Sequence, residues 1–195
     1  FRESMTMKFE RWHDGIGYDL EILKTATPEE LSSIEEMLLS HGTVDWRDVE
    51  ALAALDSLRA REAVQRAHQS SSHEIRLAVQ RHAPALLTDT DRTAALAAAL
   101  DDAELFGGLT QALLEVETFH PPDIMSALLR GLMERDGGTA VHFAAMLYFL
   151  HGKSAEAFDW DHRPFFLRFN TSDLLEREIV TRELCGTIGV DPVRC

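Results

Sequence analysis

Apolar residues recur at helical spacing along nearly the whole chain, and no segment alternates apolar with polar residues for long enough to make a convincing strand. That pattern restricts the chain to packed helices, and local stop and start signals say where they lie. Thr27 and Glu30 have capping-box spacing, Pro28 suits a first helical position and Gly42 suits a helix end. Between them Leu31, Ile34 and Leu38 share one face. Further helices are expected over residues 45–56, aligned on Val49, Leu52 and Ala53, and over residues 58–69. Ser71 and Glu74 form a second candidate capping box, ahead of the stripe Ile75, Ala78, Val79, His82 and Leu86, which Pro84 ends or bends. After an alanine-rich stretch at 90–100, Asp101 and Glu104 are expected to cap a helix carrying Leu105, Leu109, Leu113 and Val116. Pro121 and Pro122 then open a helix striped by Ile124, Ala127, Leu128, Gly131 and Leu132. Gly137 and Gly138 are expected to separate it from residues 141–150, which are apolar on nearly all sides and belong in the middle of the packing. A last helix is expected over residues 172–188. The fold class is all-α.

With 195 residues, 45% of them apolar and 27% charged, the chain can bury a continuous core, and a single domain is expected. No apolar run approaches the roughly 20 residues that a membrane-spanning helix needs. The most apolar, from Ala144 to Leu150, is followed at once by His151 and Gly152. Cys185 and Cys195 are the two cysteines, too few and too late in the chain to suggest a disulfide framework, so a reducing, cytoplasmic setting is expected.

The net charge of −14 opposes non-specific attraction to nucleic acid or to an anionic membrane and favours a basic partner, although solubility alone also accounts for it. The charge is uneven. Residues 1–50 hold 12 acids and 5 bases, residues 51–100 hold 5 and 6, residues 101–150 hold 8 and 2, and residues 151–195 hold 8 and 6. The third quarter, at −6, is therefore a candidate acidic surface.

The segments around Val49, Ile75 and Val141 share a β-branched residue, a polar residue and then a face rich in small residues, which lets neighbouring helices approach closely. The run from Ser71 to Val79 resembles the inner helix of a HEAT repeat, and Ile75 lies 66 residues before Val141, two units of 33. The interval from Val49 to Ile75 is 26, so the period is irregular. This resemblance implies a HEAT-like α-solenoid, a right-handed stack of antiparallel helix pairs, with a core over 43–152 between caps at 1–42 and 153–195. Together with segments 8–20 and 158–166, the pattern also resembles small bacterial HEAT-like immunity proteins, which neutralise a toxin by binding it. An irregular helical bundle remains open beside that reading.

Little in the chain resembles catalytic machinery. The nine histidines include no pair at i and i+4, neither cysteine has zinc-like spacing to a histidine, and no GxSxG elbow, P-loop or Rossmann glycine pattern occurs. No catalytic residue, metal ligand or cofactor is assigned. Trp12, His13 and Asp14 read as a turn before Gly15 rather than an acid–base pair. Asp161 is placed to cap a short helix at His162, with Phe165, Phe166 and Phe169 in the core and Trp160 as a packing or interface anchor.

The expected function is protein binding, with toxin neutralisation as its sharpest form. The expected partner is basic, a toxin or a nucleic-acid-binding protein, held by Asp101, Asp102, Glu104, Glu115, Glu117 and Asp123 and by Asp159, Trp160 and Asp161. A HEAT-like DNA glycosylase is the enzyme alternative, disfavoured because such an enzyme needs a cationic groove for phosphate. A scaffold or lyase-like chaperone is the third.

Overall fold

The computed structural model describes residues 1–6, 16–105 and 108–191. Among these residues there are ten α-helices, short 3-10 turns and no strand, only an isolated bridge between Glu104 and Gly108. The chain is all-α. Trp12, His13, Asp14 and most of segment 8–20 lie outside the described residues, as does Cys195. No described helix is long and apolar enough to cross a membrane. Contacts divide the chain into two compact units, Phe1–Arg92 and Thr93–Cys195.

The first unit contains α1 (Pro28–His41), α2 (Trp46–Leu55), α3 (Leu58–Ala67) and α4 (His73–His82). Its helix ends follow local chemistry closely. Thr27 and Glu30 form the reciprocal capping box, Pro28 starts α1, and Gly42 at φ +82° ends it. Asp45 and Asp48 make a second reciprocal box at α2, Ser57 caps α3, and Asp56 at φ +52° ends α2. The cap of α4 is Ser72 rather than Ser71, because the Ser72 hydroxyl is the one that accepts the Ile75 amide. Helix α2 is central and touches α1, α3, α4 and the 3-10 turn Leu20–Lys24. Val49 and Leu52 of α2, Leu38 of α1, Val64 of α3 and Val79 of α4 meet in its core. Ala51, Ala60 and Ala63 keep the helices close.

The division between units falls within α5 (Asp89–Asp102), whose start is fixed by Thr88: its hydroxyl accepts the Asp91 amide at 3.1 Å, and its own amide donates to the Asp91 carboxylate. Beyond it lie α6 (Leu109–Thr118), α7 (Pro122–Glu134), α8 (Gly137–Leu150), the one-turn α9 (Arg163–Phe166) and α10 (Leu174–Ile188). Asp101 and Glu104 do not cap α6. Helix α5 runs on through Asp102, and α6 starts after Gly108, whose φ of +80° makes the turn into it. Gly137 and Gly138 are not a separator either. Asp136 accepts the Thr139 amide, and both glycines form the first turn of α8.

Helix α8 is the centre of the second unit, as its all-round apolarity predicts. It touches α6, α7, α9, α10 and the 3-10 turn Leu167–Phe169. Val141, Phe143, Ala144, Ala145, Met146 and Leu147 are buried. On α7 the whole predicted stripe of Ile124, Ala127, Leu128, Gly131 and Leu132 is buried. Gly131 has a steric reason to be glycine, since a Cβ there would lie 2.4 Å from a ring carbon of Phe143. Cys185 is fully buried on α10.

Candidate functional site

The second unit carries an aromatic platform that ends in an exposed tryptophan. Its base is the buried pair Phe166 and Phe169, on α9 and the turn that follows it. Tyr148, near the end of α8, stands edge-on to Phe166 at 5.5 Å and lies 4.8 Å from the His162 ring. Phe158 packs at 5.9 Å from Phe166 and 5.2 Å from His142. Trp160 then meets Phe158 edge-on at 6.4 Å and remains 69% exposed, with the Arg163 guanidinium 4.8 Å over its ring. A guanidinium over an indole is attractive and favours this orientation of the ring.

Two aspartates border the tryptophan. Asp159 is partly buried and accepts the Asp161 amide at 2.9 Å, closing the turn that presents Trp160. Asp161 is exposed and is not a helix cap: α9 begins after His162 with no side-chain cap, because the Asp159 turn has already oriented the Asp161 backbone. The His162 ring nitrogen sits 3.5 Å from Asp159 but is not hydrogen-bonded, so the two interact through charge only when the imidazole is protonated. Burial holds His142 below its ordinary value of about 6.5, so at neutral pH it serves the platform as an uncharged ring.

The acids at 101–123 do not form one helical face. Asp101, in the last turn of α5, pairs with Arg130 of α7 at 2.8 Å, while Arg135 donates to the Asp101 and Ala103 carbonyls. Asp102, Glu104, Glu117 and Asp123 are exposed, on α5, the following connection, α6 and α7. Glu115 is buried, at 5% exposure, beside Ala112 and Val116 on the inner side of α6, and so leaves the candidate surface. Asp159, Trp160 and Asp161 are brought together; the earlier acids are spread over three helices.

A polar constellation in the first unit was missed in the sequence. Asp48, fully buried, accepts from the Tyr18 hydroxyl at 2.8 Å, His41 Nδ1 at 2.9 Å and the amides of Val44 and Asp45 at 2.9 and 3.1 Å. Burial, and then the Asp48 acceptor, push the Tyr18 phenol up, so it stays a donor. An ionised Asp48 only accepts, which places the His41 proton on Nδ1. A half-exposed histidine oriented by a carboxylate resembles a general base, but no hydroxyl or thiol among the described residues bonds His41. The network closes the α2 cap and ties it to the end of α1. The Asp45–Asp48 capping spacing was its one signal in the sequence. A cavity of about 430 Å³ opens nearby, floored by Leu38, Leu52 and Ala63 and rimmed by Arg66, Gln69 and Ser70. Among the described residues no three histidine, cysteine or acidic side chains converge as a metal site.

No protein-family model, no curated protein and no solved structure matches this chain.

Proposed function

We propose that this chain is a protein-binding module whose second unit seats a basic protein, with Trp160 as the anchor. In its narrower form the module is a HEAT-like immunity protein that neutralises a toxin by covering it. The observation that carries the reading is an exposed Trp160 on a buried aromatic base, clamped by Arg163 and bordered by Asp159 and Asp161. A large ring left in water yet braced by Phe158 and Arg163 suits an interface, because less freedom remains to be lost when a partner covers it. The net charge of −14 supports a basic partner, which it would attract over distances beyond contact.

The test is affinity capture from the native host with the parent chain and with Trp160→Ala, followed by surface plasmon resonance on the captured protein. The reading expects a basic protein and a loss of affinity of about thirtyfold or more for Trp160→Ala, the size of an interface hot spot. Capture of an acidic protein, or unchanged affinity for the variant, would overturn it.

A further inference from the structure

Helix α10 is apolar along its inner side, and the first half of its outer side is apolar as well. Its inner side carries Val180, Leu184 and Ile188 into the core. At about 100° per residue, its outer side aligns Leu175, Ile179, Arg182 and Gly186. Leu175 and Ile179 are 66% and 51% exposed, and Leu174 beside them is 68% exposed. Glutamates border this line on both sides, Glu178 on one and Glu176 and Glu183 on the other. Glu178 pairs with Arg182, and Glu183 pairs with Arg168 at 2.6 Å. Glu176 meets the neutral Thr171 hydroxyl at 3.0 Å. A Cβ on Gly186 would touch nothing within 4 Å, so the chain's own packing does not require glycine there.

We propose that this face docks an amphipathic helix of another protein, one whose apolar stripe is flanked on both sides by lysine or arginine. Leu175 and Ile179 would take the apolar stripe, the bordering glutamates would meet the flanking cations, and Gly186 would let the partner backbone come close. A second copy of this chain fits the face poorly. An antiparallel pair that packs Leu175 on Ile179 of the other copy is centred on position 177, which brings Glu176 close to Glu176 of that copy on one edge and Glu178 close to Glu178 on the other, in a chain already at −14. This surface is separate from the Trp160 platform and stands or falls without it.

The test titrates the full chain into a fluorescein-labelled synthetic peptide of about 15 residues, with leucine at helical spacing and lysine on both flanks, and follows anisotropy. Saturable binding is expected. The double variant Leu175→Ser, Ile179→Ser should weaken it by at least about tenfold without changing the circular dichroism or the melt. A matched peptide with glutamate in place of lysine should not bind. Glu176→Lys with Glu183→Lys provides a test independent of the apolar change, since it should weaken the lysine peptide and admit the glutamate peptide. Absence of binding, equal binding of both peptides, or binding indifferent to both sets of substitutions overturns the proposal. So does sedimentation of the peptide-free chain as a dimer that the serine variant dissociates, which would give the face to a second copy.

Discussion

Gly131 and Phe143 set the tightest steric condition in the second unit. Gly131→Ala would drive a methyl group into the Phe143 ring, which is itself 1% exposed and has little room to move. The expected cost is about 1–3 kcal/mol, the usual range for overpacking, and urea denaturation would measure it. A change below about 0.5 kcal/mol would mean that the ring can turn away. His142 and His82 predict a pH dependence. Burial lowers both below about 6.5, and Arg81 adds repulsion at His82. The unfolded chain therefore takes up protons first as the pH falls, so their contribution is complete above about pH 7 and is lost as the pH drops through 6.5 toward the folded values. Glu50 and Glu74, raised by burial, act in the opposite direction but nearer the ordinary carboxylate range. Melts between about pH 7.5 and 6 should thus fall in the parent and flatten in His82→Asn with His142→Asn; equal slopes would refute the assignment. At this scale the sequence was readable where a residue had one role. Every member of the Ile124–Leu132 stripe is inside. Glu115 misled because its charge suggested solvent, while its spacing of three from Ala112 and one from Val116 had already placed it inward.

Helix starts were the most legible elements, because a cap is a contact within four residues and needs no tertiary information. Thr27, Pro28 and Pro122 stand where their chemistry requires. Failures came where a tertiary contact or a neighbouring local signal overrode the one that was read. Arg130 of α7 and Arg135 just after it grip the end of α5, and Gly108 rather than an acid turns the chain into α6. Two glycines read as a break were absorbed into α8 because Asp136 supplied the cap. The outer face of α10 makes a further prediction. Gly186→Ala removes backbone freedom from the unfolded chain and meets no atom in the folded one, so it should stabilise by about 0.5–1 kcal/mol and raise Tm by a few degrees. A lower Tm in calorimetry would show that the position needs glycine for the chain's own fold.

For the molecule as a whole, charge was readable in amount but not in placement. The −6 of residues 101–150 is real, yet Asp101 is taken up by Arg130 and Glu115 lies inside. Neutralising Asp102, Glu104, Glu117 and Asp123 as their amides takes the chain from −14 to −10. With the captured partner, this should slow association and flatten its salt dependence while leaving the off-rate and Tm nearly unchanged, as measured by surface plasmon resonance at two ionic strengths. An unchanged on-rate would confine the acidity to solubility. The Trp160 platform was legible as a cluster of aromatic residues, but which ring would face water was not, because that depends on how Phe158 and Phe166 stack.

Arg177 carries a consequence for how such a fold can drift. Its guanidinium is buried and donates to the main-chain carbonyls of Arg135, Phe169 and Thr171, holding α10 to the end of α7 and to the turn before it. The clamp recognises the path of the backbone and is blind to the side chains along it. At three of its four positions it places no demand on residue identity, so related chains can diverge there while the joint survives. What remains for a sequence to preserve is one arginine among nineteen basic residues, a trace too slight to mark kinship on its own.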